Sequence, residues 1–336
     1  MARRVVLHVG SMKSGTSYLQ GLMLANRSLL ADRGLLFPGR RWRDQVLGVA
    51  EVLEHKRVIV PPGAGAWQSL VDEMAQWDGT GLISMEFLGA AGPRKVERVV
   101  TSFPAGTVEV VVTARDLNRT IPAMWQESLK NGASFTFDEY VAAVHAHDGP
   151  GNGFWRQQAI AAMCRRWSDV IGIDKVTVVT VPPPGASRDV LWHRFAAAID
   201  IDGGGLEVHT ASNESLGAAS MEVMRRLNER LTDLEFPAYA PTVKHRLAKV
   251  TLAGRRDLEP ALGFEVPKWL PELSHRMIGR LRELGVRVVG DLNDLTPVPV
   301  PGVPLASVSA ELQLDAAVAG LESVVRAVIR ASEKRS

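Results

Sequence analysis

The 336 residues carry 39 lysines and arginines against 37 aspartates and glutamates, and no basic run indicates a nucleic-acid-binding surface. The single cysteine, Cys164, excludes an intrachain disulfide and a cysteine-based metal cluster, and it is typical of a reducing compartment. No stretch is long and apolar enough for a membrane span, and His8 and Gly10 break the first apolar run too early for a secretion signal. The sequence therefore predicts a soluble, cytoplasmic protein that binds no nucleic acid.

Strand-like and helix-like segments alternate through the first part of the chain. Four runs are typical of buried strands, the second of them ending in a carboxylate: Val5–Leu7, Gly81–Glu86, Val108–Ala114 and Lys175–Val181. Segments with helical periodicity separate them, among them one that follows the first run to about Asp32 and one over residues 154–168. Such alternation implies right-handed crossovers, so we expect an α/β fold with a mainly parallel sheet flanked by helices, its core sheet within residues 1–205.

The second part of the chain is mostly helical. Helical patterns cover residues 214–233, 241–252 and 268–285, and Val286–Gly290 is a late strand candidate. Pro297–Pro304 is typical of an extended connector, and Leu312–Ala331 predicts an amphipathic helix. We expect one domain over 1–300, mostly helical over 206–300, and an extension over 301–336. Its amphipathic helix is expected to pack on the domain, a membrane-surface role being the alternative.

A glycine-bounded loop joins the first strand to the first helix. Gly10 and Gly15 allow a tight turn and the close approach of a ligand, and Lys13 supplies a positive charge. Hydroxyl groups come from three further residues, Ser14, Thr16 and Ser17. A strand, a loop and a helix N-terminus together offer backbone N–H groups and a positive dipole end to an anion. We therefore expect phosphate to bind here, an ordinary strand-to-helix turn being the alternative.

The order of residues in this loop separates two classes of phosphate-binding protein. In the Walker A pattern a lysine directly follows the second glycine, whereas here Lys13 precedes Gly15 by two positions and Thr16 follows it. The stretch K-S-G-T-S over Lys13–Ser17 resembles the 5′-phosphosulfate loop of sulfotransferases that use 3′-phosphoadenosine 5′-phosphosulfate (PAPS). That resemblance implies that Lys13, Ser14, Gly15, Thr16 and Ser17 hold the 5′-phosphosulfate.

A second segment resembles the 3′-phosphate-binding segment of the same enzymes. Arg115 ends the run Val108–Ala114, and a guanidinium fork suits a phosphate monoester. The family places a serine eight residues after this arginine, where the present chain has Ala123. Arg119 or Thr120, one helical turn before Ala123, is expected to reach the same phosphate. A structural ion pair of Arg115 with a nearby carboxylate is the alternative.

The resemblance extends over most of the chain and is to bacterial, actinobacterial-type members of the family. Three shorter stretches add to it: Leu191–Ala196, Ser212–Gly217 and Val288–Leu292. It implies a P-loop-like α/β fold, PAPS as donor, and a hydroxyl or amine of a small molecule, carbohydrate or lipid as acceptor. No metal is expected, because the family's reaction needs no magnesium. The oligomeric state is not indicated.

Sulfuryl transfer requires a base for the acceptor proton and charge stabilisation on the leaving phosphate. Lys13 and the helix N-terminus serve the leaving phosphate. The histidine that cytosolic sulfotransferases carry in a K-T-H stretch is missing, and Glu86 resembles the glutamate base of heparan-type members. A carboxylate that only caps the following helix explains Glu86 equally well. His8 is the second candidate, although a histidine in a first strand more often belongs to the core.

Two other functions remain as alternatives. A P-loop nucleotide kinase is disfavoured by the position of Lys13 and by the Arg115 segment. The second alternative is a catalytically inactive nucleotide-binding partner protein, and it is supported by Ala123 and by the missing K-T-H histidine.

Overall fold

The computed structural model describes residues 2–55, 58, 65–187, 189–207 and 215–333. Residues 212–214, part of one stretch that carries the family resemblance, lie outside the described residues. The chain forms two compact units. The first comprises Met1–Leu117, Trp155–Ala211 and Trp269–Thr296, and the second comprises Asn118–Phe154, Ser212–Lys268 and Pro297–Ser336. A single domain over 1–300 stays a prediction.

The first unit contains a six-stranded parallel sheet. Its strands are β1 (Arg4–His8), β2 (Leu35–Leu36), β3 (Thr80–Ser84), β4 (Val108–Ala114), β5 (Val176–Thr180) and β6 (Arg287–Val289). They are arranged in the order β2-β3-β1-β4-β5-β6, and each neighbouring pair is parallel. Nearly every residue of β1, β3, β4 and β5 is buried, as strands covered on both faces require. The predicted α/β fold with a mainly parallel sheet is confirmed.

Helices account for most of the remaining described chain. In order, they are α1 (Thr16–Ala25), α2 (Arg27–Asp32), α3 (Trp42–Val52), α4 (Ala66–Ala75), α5 (Pro93–Val100), α6 (Leu117–Lys130), α7 (Phe137–Ala146), α8 (Gly149–Gln158), α9 (Ile160–Ile171), α10 (Asp189–Ala198), α11 (Ala218–Asn228), α12 (Phe236–Tyr239), α13 (Leu270–Leu284) and α14 (Ala310–Glu333). A π-helix, Ala240–Leu252, continues α12. The predicted helical character of the later part of the chain is confirmed.

The core of the first unit packs α1 and α10 onto the sheet. Leu19 and Met23 of α1 and Phe195 of α10 form one buried cluster with Val6 of β1 and Val111 of β4. Leu19 and Met23 are four residues apart and therefore share one face of α1. Burial of this face fixes α1 on the sheet, and the residue that begins α1 directly follows the glycine-bounded loop.

The second unit is a helical assembly with an aromatic core. The ring of Phe137 lies 5.2 Å from that of Trp125 and 5.0 Å from that of Phe264, measured between centroids. The segment predicted to be an extended connector is tied to this unit, because Val300 exchanges two backbone hydrogen bonds with Phe264. In the same unit α14 packs against α11 and the π-helix.

Candidate anion-binding site

The glycine-bounded loop leaves β1 at the centre of the sheet and enters α1. Gly10 and Gly15 have φ angles of 109° and 85°, in the region that favours glycine. Gly15 is the N-cap residue of α1, and a Cβ there would collide with the side chain of Leu191. The first N–H groups of a helix have no partner within the helix. The glycines therefore bring the loop tightly onto a helix N-terminus that offers donors to an anion.

Lys13 lies at the middle of this loop in a conformation that few side-chain-bearing residues adopt. Its φ angle is 62°, and such left-handed conformations outside glycine are often found at functional sites. Two long side chains hold the backbone around it. Arg115 Nη1 donates to the carbonyl of Lys13 at 3.2 Å, and Gln158 Nε2 donates to the carbonyl of Met12 at 2.8 Å. The shape of the loop is thus set by residues about 100 and 146 positions away.

The hydroxyl groups of the loop divide into buried and exposed ones. The Ser14 hydroxyl is fully buried and bonds the carbonyl of Ser11, while its oxygen lies 2.6 Å from Thr113 Oγ1. Thr16 is buried and Ser17 is exposed. The Ser11 hydroxyl is buried and has no hydrogen-bond partner within the described part of the chain. The side chain of Ser14 therefore shapes the loop. Its backbone N–H is the group of this residue that is a candidate donor to an anion.

His8 lies beneath the loop with no exposed surface. Its Nδ1 is 2.7 Å from Ser84 Oγ, and its Nε2 is 3.1 Å from Thr113 Oγ1. The network continues into the loop, because Thr113 Oγ1 donates to the carbonyl of Gly10 at 3.0 Å and lies next to Ser14 Oγ, which donates to the Ser11 carbonyl. Burial lowers the pKa of His8 to about 3, which keeps the imidazole neutral in this chain. The histidine thus connects β1, β3 and β4 to the loop.

Glu86 stands next to the loop. It begins a short 3₁₀ helix, Glu86–Ala90, just after β3, and a Cβ placed on Gly10 would be 3.3 Å from the Cβ of Glu86. Gln20 Nε2 donates to Glu86 Oε2 at 3.2 Å and to the carbonyl of Ser84 at 3.0 Å. Gln20 is buried on α1, one helical turn after Thr16. The Glu86 carboxylate is therefore held by the helix that follows the loop.

Arg115 directly follows β4 and is half-buried. Arg119 and Thr120 lie in the first turns of α6, which belong to the second unit; Arg119 is half-buried and Thr120 is buried. Helix α6 begins at Leu117 and continues past Pro122 to Lys130. Their participation in one phosphate site remains a prediction.

Lys13, Glu86 and Arg115 thus follow β1, β3 and β4, three adjacent parallel strands, at the same edge of the sheet. In open α/β sheets ligands bind outside the carboxyl ends of the strands. The protein therefore has a parallel α/β fold, and the loop after β1, at the centre of the sheet, is its candidate anion-binding site. Within the described residues no helix is both long and apolar enough to cross a membrane.

Comparisons with known proteins add one likeness. No family model matches the chain, and no curated protein matches it in sequence. Among solved structures, a sulfotransferase from Alicyclobacillus acidocaldarius is similar with a TM-score of 0.45 and 16% sequence identity, over 71% of this chain and 99% of that one. The residues of the site, and not this distant likeness, carry the functional proposal.

Proposed function

We propose that the protein is a PAPS-dependent sulfotransferase, which transfers a sulfuryl group to a hydroxyl or amine of a small molecule, carbohydrate or lipid. The observation that carries the proposal is the meeting of the K-S-G-T-S loop, Glu86 and Arg115 at one edge of the sheet. The loop supplies a cation and helix N-terminal donors, the arginine supplies a phosphate-binding fork, and the glutamate supplies a base.

The donor's 5′-phosphosulfate is assigned to the loop. The backbone N–H groups of the first turn of α1 and the Lys13 ammonium bind its oxygens, with the hydroxyls of Thr16 and Ser17 as further donors. The buried Ser11 hydroxyl fits this assignment, because a buried donor gains from an acceptor that an anion provides. Ser14 contributes through its backbone, and Gly15 through the absence of a side chain.

The 3′-phosphate is assigned to Arg115, with Arg119 and Thr120 in place of the family's serine. A guanidinium has five N–H donors in a planar fork, so Arg115 binds the Lys13 carbonyl and a phosphate at the same time. This arrangement links the two phosphate subsites, because the residue that recognises the 3′-phosphate also supports the loop that holds the 5′-phosphosulfate.

The proposed reaction forms a bond between the acceptor oxygen or nitrogen and sulfur, and it breaks the bond between sulfur and the bridging phosphate oxygen. Negative charge develops on the leaving phosphate, where Lys13 and the α1 N-terminus stabilise it. The acceptor proton passes to Glu86, whose carboxylate Gln20 holds beside Gly10. In this proposal His8 supports the loop through its hydrogen bonds to Ser84 and Thr113 and is not the base. No metal takes part.

Calorimetry tests the donor assignment. We expect 3′-phosphoadenosine 5′-phosphate to bind at least about tenfold tighter than AMP, because the Arg115 contact to the 3′-phosphate is a charged hydrogen bond. Arg115→Ala should remove this preference, and Arg94→Ala, an exposed arginine on α5, should keep it. Equal affinity for AMP would contradict the role of Arg115, and a preference for ATP with magnesium would favour a kinase.

Turnover distinguishes an enzyme from an inactive nucleotide-binding partner. The wild-type protein is incubated with PAPS and a panel of phenols, glycosides and hydroxylated lipids, and the released 3′-phosphoadenosine 5′-phosphate is measured. Acceptor-dependent release supports the proposal. Tight binding of the bisphosphate without release on any acceptor class would instead indicate the inactive partner.

A further inference from the structure

Helix α14 packs on its own unit through small side chains. Ala316 is fully buried, a Cβ on Gly320 would be 2.9 Å from Leu247 of the π-helix, and Ser323 Oγ lies 2.7 Å from Thr251 Oγ1. These residues recur at intervals of four and three and therefore share one face. That face is the inner face of α14, since it contacts the π-helix directly.

The outer face of α14 carries large apolar side chains. Five of them form what we call the α14 stripe, and each is 48% to 64% exposed: Leu314, Val318, Leu321, Val325 and Val328. Their spacing is four, three, four and three residues, a mean period of 3.5. A helix that lies on a globular core has a wider apolar face with a period of 3.6, whereas a 3.5-residue period is that of a coiled-coil seam.

We propose that the α14 stripe is one half of a two-stranded parallel coiled coil formed with a second copy of this chain. In heptad terms Val318 and Val325 occupy a positions, and Leu314, Leu321 and Val328 occupy d positions, two of the three being leucine. β-Branched residues at a with leucine at d favour two parallel strands. This dimer is independent of the sulfotransferase proposal, because it uses none of the residues of the anion-binding site.

The charges beside the stripe favour the parallel arrangement. One edge carries Asp315 and Glu322, and the other carries the uncharged Ala317 and Val324. In a parallel pair each acidic edge meets the uncharged edge of the partner copy, whereas an antiparallel pair places the two acidic edges together. Within its own helix Glu322 accepts a hydrogen bond from Arg326 at 2.8 Å, and neither residue belongs to the stripe.

The size of the stripe is consistent with a specific dimer. Five half-exposed aliphatic side chains present on the order of 500 Å² per copy, as large as the largest apolar patch of a typical monomer. Two stripes in register bury on the order of 1,000 Å², which reaches the lower bound for a specific interface. A second copy also matches the stripe in length, since both halves are the same helix.

Analytical ultracentrifugation of the full chain tests the dimer. We expect a concentration-dependent species of twice 36.5 kDa. Leu321→Glu should raise the dimer dissociation constant by at least about 100-fold, because the carboxylate enters the seam from both copies. Leu258→Glu is the matched control, since Leu258 is a 68% exposed leucine on another element, Ala253–Leu258, and it should leave the dimer intact. Circular dichroism establishes that both variants are folded.

Cysteine cross-linking tests the direction of the two helices. In a parallel pair position 321 faces position 321 of the second copy, so Leu321→Cys should give a covalent dimer on mild oxidation, whereas an antiparallel pair sets it opposite an a position. Cys164 is buried and its pKa is raised to about 12, so it contributes little background. Failure of Leu321→Cys to cross-link would overturn the parallel coiled coil. The dimer proposal would be overturned if the wild-type chain stayed monomeric at about 100 μM. It would also be overturned if the chain were monomeric and floated with anionic vesicles, which would indicate a membrane surface as the partner of the stripe.

Discussion

His8 makes the free energy of unfolding depend on pH in a way that the structure fixes. Its pKa is about 3 in the folded chain against an ordinary value of 6.5, because the ring is buried. Between these two values the unfolded chain binds a proton that the folded chain does not bind, so acid favours unfolding. Each pH unit below 6.5 costs about 1.4 kcal/mol, and the loss from pH 6.5 to pH 5 is therefore about 2 kcal/mol.

Urea unfolding followed by tryptophan fluorescence measures this loss. The wild type, His8→Gln and His275→Gln are compared at pH 7.5, 6 and 5; His275 is an exposed histidine on α13. His8→Gln is expected to be less stable at pH 7.5, because it disturbs the hydrogen-bond chain under the loop. From pH 7.5 to pH 5, however, the wild type and His275→Gln should each lose about 2 kcal/mol more than His8→Gln.

The decisive comparison is between pH dependences and not between stabilities at one pH. If the wild type and His8→Gln lose the same free energy between pH 7.5 and pH 5, His8 is protonated in the folded chain as readily as in the unfolded one. The assignment of His8 as a neutral imidazole with two hydrogen bonds would then be wrong, and His8 would again be a candidate for the base.

Three further predictions concern the site. Lys13→Ala should lower turnover more than it weakens binding of 3′-phosphoadenosine 5′-phosphate, since the charge matters most on the leaving phosphate; a change confined to KM would make Lys13 a binding residue only. Glu86→Gln should lower turnover by about 10²–10⁴-fold with normal folding and nucleotide binding, and near-normal turnover would remove Glu86 as the base. Gln20→Leu should lower turnover without changing nucleotide affinity, because Gln20 contacts Glu86 and not the loop's donors; unaltered kinetics would show that Glu86 needs no such support.

The strands were predictable where the local pattern is strong. The run Val108–Ala114 forms β4 with the predicted bounds, because seven residues of mostly β-branched type suit only a buried strand. By contrast β2 has two residues, too few for any pattern, and it exists because it pairs with the edge of β3. The predicted first helix is interrupted at Asn26, whose side chain bonds the backbone of Glu207, a partner 181 residues away. No local signal contains that contact.

The candidate site, like the strands, could be predicted only where the local sequence indicates it. Lys13, Glu86 and Arg115 were placed by the rule that polar residues after parallel strands meet at one edge. The residues that hold the site could not be predicted. Gln20 and Gln158 contact it through hydrogen bonds between distant parts of the fold, and helical periodicity does not indicate either residue. The division of the loop hydroxyls, with Ser14 turned inward, depends on Thr113 of a strand about 100 residues later.

The central place of β1 has a consequence for synthesis. The first strand of the chain is flanked by β3 and β4, so its backbone hydrogen bonds are complete only with partners near residues 80 and 108. Until Arg115 has left the ribosome, the nascent chain carries an apolar strand with an unpaired edge and a glycine-bounded loop that lacks its contacts with Thr113 and Arg115. Closing contacts over such separations is slow, so folding of the binding loop awaits translation of at least a third of the chain. Fragments that stop before β4 are therefore expected to need a chaperone to stay in solution.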